Sequence, residues 1–140
     1  MKIRKWVLQA ENGKFLSYDK KGRVVLTAVV GKAVMENTKK DIRVHFSKSI
    51  KTSPKRLTFE LVDKPTGKPA IYRWAVQVAD DLGRIHSIKG WYANYDKYDN
   101  AIFFKDVRKA ILYDNEEDAR CFNYSYAKLK PKKLVFELVE

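Results

Sequence analysis

Alternation of apolar and polar side chains is clearest in two places. Leu57, Phe59 and Leu61 fall on every second position, with Thr58 and Glu60 between them, and Leu134, Phe136 and Leu138 repeat the pattern at the end of the chain. A period of two is that of a strand with one buried face. The same reading predicts strands over residues 6–10, 14–18 and 23–29, and again over 74–79, 84–88 and 101–105. Turn sequences separate the first two strands of each set: Glu11-Asn12-Gly13, and Asp80-Asp81-Leu82-Gly83. A longer period follows each set. Ile42, Phe46 and Ile50 lie four apart, and Ala119, Phe122 and Tyr126 form a comparable stripe. These predict a helix in each half, started at Thr38 and at Asp114 or Asn115. Asp41 and Asp118 favour the first turn, and Pro54 and Pro131 stop the helices.

The two sets are copies. Setting Lys32 against Lys109 gives an ungapped match to Asp63 and Glu140, with 12 of 32 positions identical. Pro54-Lys55-Arg56-Leu57 meets Pro131-Lys132-Lys133-Leu134, and Phe59-Glu60-Leu61-Val62 meets Phe136-Glu137-Leu138-Val139. Upstream, Trp6-Val7-Leu8-Gln9 matches Trp74-Ala75-Val76-Gln77, and the second copy carries a net insertion of nine residues. The expected fold is therefore α+β: a tandem duplication of a β-β-β-α-β module, with antiparallel sheets each carrying one packed helix. The first copy spans 1–63, a Pro- and Gly-containing linker 64–72, and the second copy 73–140, with an aromatic insertion at about 88–100.

Composition changes this picture by adding a partner class. The chain carries a net charge of +12, which attracts nucleic acid, an acidic protein face or anionic lipid. Residues 1–63 hold fifteen Lys and Arg against six Asp and Glu; residues 64–140 hold fourteen against eleven. The first copy is thus the expected polyanion-facing half. Its candidate contacts are Lys20, Lys21 and Arg23 in a turn, Lys39, Lys40, Arg43 and Lys48 on the helix, and Lys51, Lys55 and Arg56 after it. A solvated basic surface with no partner is the alternative reading. In the insertion, Trp91, Tyr92, Tyr95 and Tyr98 form a candidate recognition loop, able to stack on unpaired bases or dock on a protein. Equally, they could cover the sheet.

Catalytic and metal chemistry find little support. His45 and His86 lie in different copies, with no ligand spacing to complete a site. Cys121, the only cysteine, excludes an internal disulfide and reads as a small buried residue. Glu60 and Glu137 are conceivable general acids or bases, though the plainer reading is solvent-facing strand residues paired with lysine. The spacing of Asp96, Asp99 and Asp106 does not match a calcium loop. No catalytic residue, metal or cofactor is expected. No apolar run reaches a membrane span and the first residues lack a signal peptide's apolar core, so the reading is a cytoplasmic protein with no membrane partner, monomeric or homodimeric.

The order Trp-x-x-Gln, Gly-x-Phe-x-Ser, Lys-Ala and Lys-x-Leu-x-Phe-Glu-Leu-Val resembles small accessory proteins of phages and mobile elements, over residues 5–63 and 73–140. That resemblance implies a non-enzymatic binding protein acting in the host cytoplasm. Some proteins of that kind are anti-CRISPR or other anti-defence inhibitors, which occupy a nuclease or its nucleic acid. The expected partner is nucleic acid or a host nucleoprotein or nuclease. The alternatives are an acidic protein surface, or a role as a virion or assembly component.

Overall fold

Eight strands and two very short helices make up the computed structural model, which describes residues 1–139. The order is β1 (Lys2–Gln9), β2 (Phe15–Tyr18), β3 (Val24–Thr27), α1 (Lys39–Arg43), β4 (Ser53–Val62), β5 (Ala70–Asp80), β6 (Tyr92–Tyr95), β7 (Ala101–Phe104), α2 (Glu116–Arg120) and β8 (Lys128–Leu138). Single 3-10 turns at Val30–Lys32 and Val107–Lys109 precede the helices. All eight strands join one sheet in the order β3-β2-β1-β4-β8-β5-β6-β7. The α+β expectation is overturned by this arrangement. The protein is a β-rich fold built on one antiparallel sheet, not a pair of modules with separate sheets and substantial packed helices.

The helices fall short for a local reason. Thr38 Oγ1 accepts the Asp41 amide at 3.0 Å and starts α1, as Asn115 Oδ1 accepts the Asp118 amide at 2.8 Å and starts α2. After one turn the amides reach back only three residues: His45 to the Ile42 carbonyl and Phe46 to Arg43. The Ser47 hydroxyl then takes the Ser49 amide, which diverts the backbone from helix. So Ile42 is buried, but Phe46 is 49% exposed. In the second half Ala119 and Phe122 are buried while Tyr126 is 75% exposed. Pro54 and Pro131 are not helix stops; each lies inside a strand. Pro54 sits opposite Leu8 of β1, in a stretch of β4 that β8 does not reach, since the β4–β8 pairing runs from Phe59 to Val62. A missing N–H is tolerated on such an open side.

The second-copy strand expected over 84–88 is also absent, and β6 takes its place. Phe15–Tyr18 and Tyr92–Tyr95 are 77 residues apart, as are β3 and β7, so the ungapped match extends upstream of Lys32. The extra residues of the second half therefore fall between β5 and β6. The turn after β6 shows the correspondence in detail. Asp19 Oδ1 accepts the amides of Lys21 and Arg23, and Asp96 Oδ1 those of Tyr98 and Asn100. Gly22 has φ +77° and Asp99 φ +63°, the left-handed conformation that closes both turns.

The chain packs as two units: Met1–Ile71 with the closing residues from Val135, and Tyr72–Leu134. In the first, β1 pairs with β4 along its whole length, and Phe59 lies opposite Ile3 on one side and Leu138 on the other. Val7, Leu57, Phe59 and Phe136 are almost fully buried. On the other face of β1, Leu8 packs with Leu16 and with Ile42 of α1, backed by Trp6, Val24 and Val34. In the second unit Val76, Ala93, Ala119 and Phe122 form one cluster, and Val78, Ile88 and Ala127 another. Among the described residues no helix is long and apolar enough to cross a membrane. Glu140, the last position of the sequence match, lies outside the described residues.

The expected linker is tied down. Thr66 donates both its amide, at 2.8 Å, and its hydroxyl, at 2.7 Å, to the Glu137 carboxylate. Glu137 is 3% exposed and sits directly opposite Glu60 in the β4–β8 ladder, so it is not a solvent-facing partner of lysine. These Thr66 hydrogen bonds hold the Glu137 carboxyl below its usual range. A lowered pKa contributes stability above the ordinary carboxylate value and loses it as pH falls through the folded value. Glu137→Gln is expected to lower the urea midpoint at pH 7 and to flatten its decline between pH 5 and pH 3. Parallel wild-type and variant curves over that range would show that the carboxylate is not held in this way.

Candidate nucleic-acid interface

A cationic surface surrounds Trp6 in the first unit. The Trp6 amide donates to the Glu36 carbonyl at 2.8 Å, and the Glu36 amide donates back to the Trp6 carbonyl at 3.0 Å. This bridge lays the segment before α1 beside β1. With Ile42 turned toward Leu8, the helix presents Lys39, Lys40 and Arg43 to solvent. Lys39 Nζ lies 5.8 Å from the centre of the Trp6 ring, a cation–π contact. Arg56 on β4 is directly opposite Trp6. Period-two alternation puts Lys2 and Arg4 on the same face as Trp6, and both are exposed.

All ten cations expected from the sequence are exposed, but the fold does not gather them in one place. Lys39 and Arg56 meet at Trp6, with Lys40 and Arg43 on the adjoining helix. Lys55 points to the opposite face from Arg56, because neighbours on a strand alternate. Lys48 lies in the segment between α1 and β4. Lys51 lines a shallow cleft of about 230 Å³ with Gln9, Glu11, Thr52 and Ser53, in which the Thr52 hydroxyl is buried without a partner. Lys20, Lys21 and Arg23 belong to the turn closed by Asp19, where Arg23 Nε is 3.0 Å from the Asp19 carboxylate. Sequence reasoning missed Lys2 and Arg4, whose signal was the alternation Lys2-Ile3-Arg4 running into Trp6.

The aromatic candidates divide differently. Trp91 packs against Val78, Ile88 and Ala127, with Lys105 Nζ 5.6 Å from its ring centre. Tyr92 is half-buried in β6 opposite Phe104. Tyr95 stacks on Phe122 with ring centres 4.5 Å apart. Of the four, only Tyr98 is exposed, at 72%, at the tip of the β6–β7 turn.

Several ionisable groups have structural posts. The Tyr18 hydroxyl and Glu36 carboxylate each lie 3.0 Å from a nitrogen of the His45 ring, which joins β2 to the segments flanking α1. The matching residues of the second unit, Tyr95, Phe122 and Tyr113, place an apolar stack in that slot. Cys121, expected to be buried, is exposed. Asp106 accepts three hydrogen bonds from the Arg108 guanidinium, which lower its pKa to about 2. Among the described residues no group of three His, Cys, Asp or Glu side chains is placed to hold a metal ion.

No family model, curated protein or solved structure matches the chain.

Proposed function

We propose that the chain is a non-enzymatic protein that binds nucleic acid through its first unit. One observation carries this reading. Among the described residues, Arg23 is the one Lys or Arg of residues 1–63 in an ion pair with a carboxylate side chain. The second half has three such pairs: Arg73 with Asp114, Arg108 with Asp106 and Arg120 with Glu116. The contrast holds at one matched position. Lys5 donates to the neutral Asn37, where the second unit has the ion pair of Arg73 and Asp114. An exposed, uncompensated cationic surface suits a phosphate backbone, whose condensed counterions are released on binding.

The test is a salt-titrated binding assay of the full chain on fluorescent single- and double-stranded oligonucleotides. Four engaged cations predict a log–log slope of about −3. Absence of binding at low salt overturns the proposal. Binding whose strength ignores salt points instead to an acidic protein partner held by apolar contacts.

A further inference from the structure

The start of β8 carries a second cationic feature, of a different design. From Tyr126 to Lys132 the chain alternates in burial. Ala127 is buried and Leu129 half-buried, both against the cluster of Val78 and Ile88, whereas Tyr126, Lys128, Lys130 and Lys132 are exposed. Three lysines thus stand in a row on one strand face, with a tyrosine at its head. None of the three is in an ion pair among the described residues. Their spacing is two strand residues, about 6.7 Å, the size of the step between phosphates of an extended nucleic-acid strand.

Tyr126 is a prepared platform. It is 75% exposed, and its ring meets Tyr124 edge-on at 5.7 Å, with planes 67° apart. Tyr124 is held by a hydrogen bond from Arg84 and packs on Phe103, with ring centres 5.0 Å apart and planes 66° apart. The contact steadies the ring, and with three quarters of its surface exposed Tyr126 keeps room for a base. The first unit repeats two of the three charges without the platform: Lys51 and Lys55 are exposed in the matching places, Ser53 stands where Lys130 does, and Ser49 where Tyr126 does.

We infer that Tyr126, Lys128, Lys130 and Lys132 form a single-strand binding track, in which the lysines follow three successive phosphates and Tyr126 stacks on an unpaired base. Stacking needs a free base face, so the track selects single strands over duplex. This rests on the nucleic-acid reading above and adds a substrate class and a second location to it.

The experiment compares full-length wild type, Tyr126→Ala and Lys128→Gln/Lys130→Gln/Lys132→Gln on labelled oligothymidine and on a duplex of equal length. All four residues are exposed, and circular dichroism melts check that each variant folds. Tyr126→Ala is expected to weaken oligothymidine binding about tenfold and to leave duplex binding unchanged. The triple variant is expected to make the oligothymidine salt slope shallower by about 2. Equal loss on both probes, or none on oligothymidine, overturns the track while the first-unit reading stands. A triple variant that binds normally but self-associates makes the lysines guards of an open strand edge and also overturns it. Failure of wild type to bind either probe overturns both readings.

Discussion

Replacing Phe59 with alanine is expected to lower the unfolding free energy by about 3–5 kcal/mol, the range for a large buried aromatic. Phe59 has no exposed surface, and its backbone pairs with β1 on one side and β8 on the other. Its ring shares a face with the buried Leu57 of β4, and the partners at its two sides are Ile3 and Leu138. The cavity would therefore open in the middle of the ladder, where paired strands on both sides restrict collapse. A small domain has about 5–15 kcal/mol in all, so the variant would lose a large share of its stability. Phe46→Ala is the informative control. A helix running from Thr38 to Pro54 would bury Phe46 with Ile42 and Ile50, and its loss would cost nearly as much. In the structure Phe46 is half-exposed, so the change should stay within about 0.5 kcal/mol. Urea unfolding of both variants decides between the two arrangements; equal losses would restore the long helix.

That contrast shows where the sequence was informative. Alternation located β4 and the Leu134–Phe136–Leu138 stretch of β8, where Leu57, Phe59, Leu134 and Phe136 fill one buried face; the polar residues between them do not mark a solvent face, since Thr58 and Glu137 are buried too. It failed at residues 84–88, where Ile85 is 97% exposed and Ile88 is buried from a non-strand segment. The i, i+4 spacing of Ile42 and Phe46 was real, but the backbone leaves the helix before Phe46. A serine hydroxyl competing for an amide has no signature in hydrophobic periodicity. The prolines misled for a related reason. Proline ends a helix, but it is equally at home in a strand whose second side is open, and openness is a property of the sheet.

The site was legible by residue type and not by direction. The ten cations expected from the sequence are all exposed, as their chemistry favours. Which of them lie together depends on strand parity and on the bridge between Trp6 and Glu36, which joins residues thirty apart. Lys55 and Arg56 are adjacent in sequence and face opposite ways. Lys128, Lys130 and Lys132 carry no signal while Pro131 reads as a helix stop, since a lysine row exists only if that segment is a strand. Of the two readings of the aromatic segment, Trp91, Tyr92 and Tyr95 follow the one in which they cover the sheet, and the insertion lies earlier than the sequence suggests. Once β6 is matched to β2, Tyr95 occupies the position of Tyr18 and belongs to the framework.

Charge reversal at Lys39, Lys40, Arg43 and Arg56 is expected to weaken duplex binding by a factor on the order of a thousand at moderate salt, and to remove most of its salt slope. These four lie on α1 and opposite Trp6, and none has a carboxylate partner to release among the described residues. The substitutions therefore remove attraction and add repulsion without freeing a buried charge. Lys20→Glu with Lys21→Glu is the matched comparison. It changes the charge by half as much, in the turn closed by Asp19, and a purely diffuse attraction would give losses in proportion to charge alone. A localised interface predicts that the turn variant loses far less than half of the binding free energy lost by the four-site variant. Proportional losses would show that the net charge matters and the Trp6 face does not. If the four-site variant binds as wild type does, with an unchanged melting temperature, the first unit is not where nucleic acid is held.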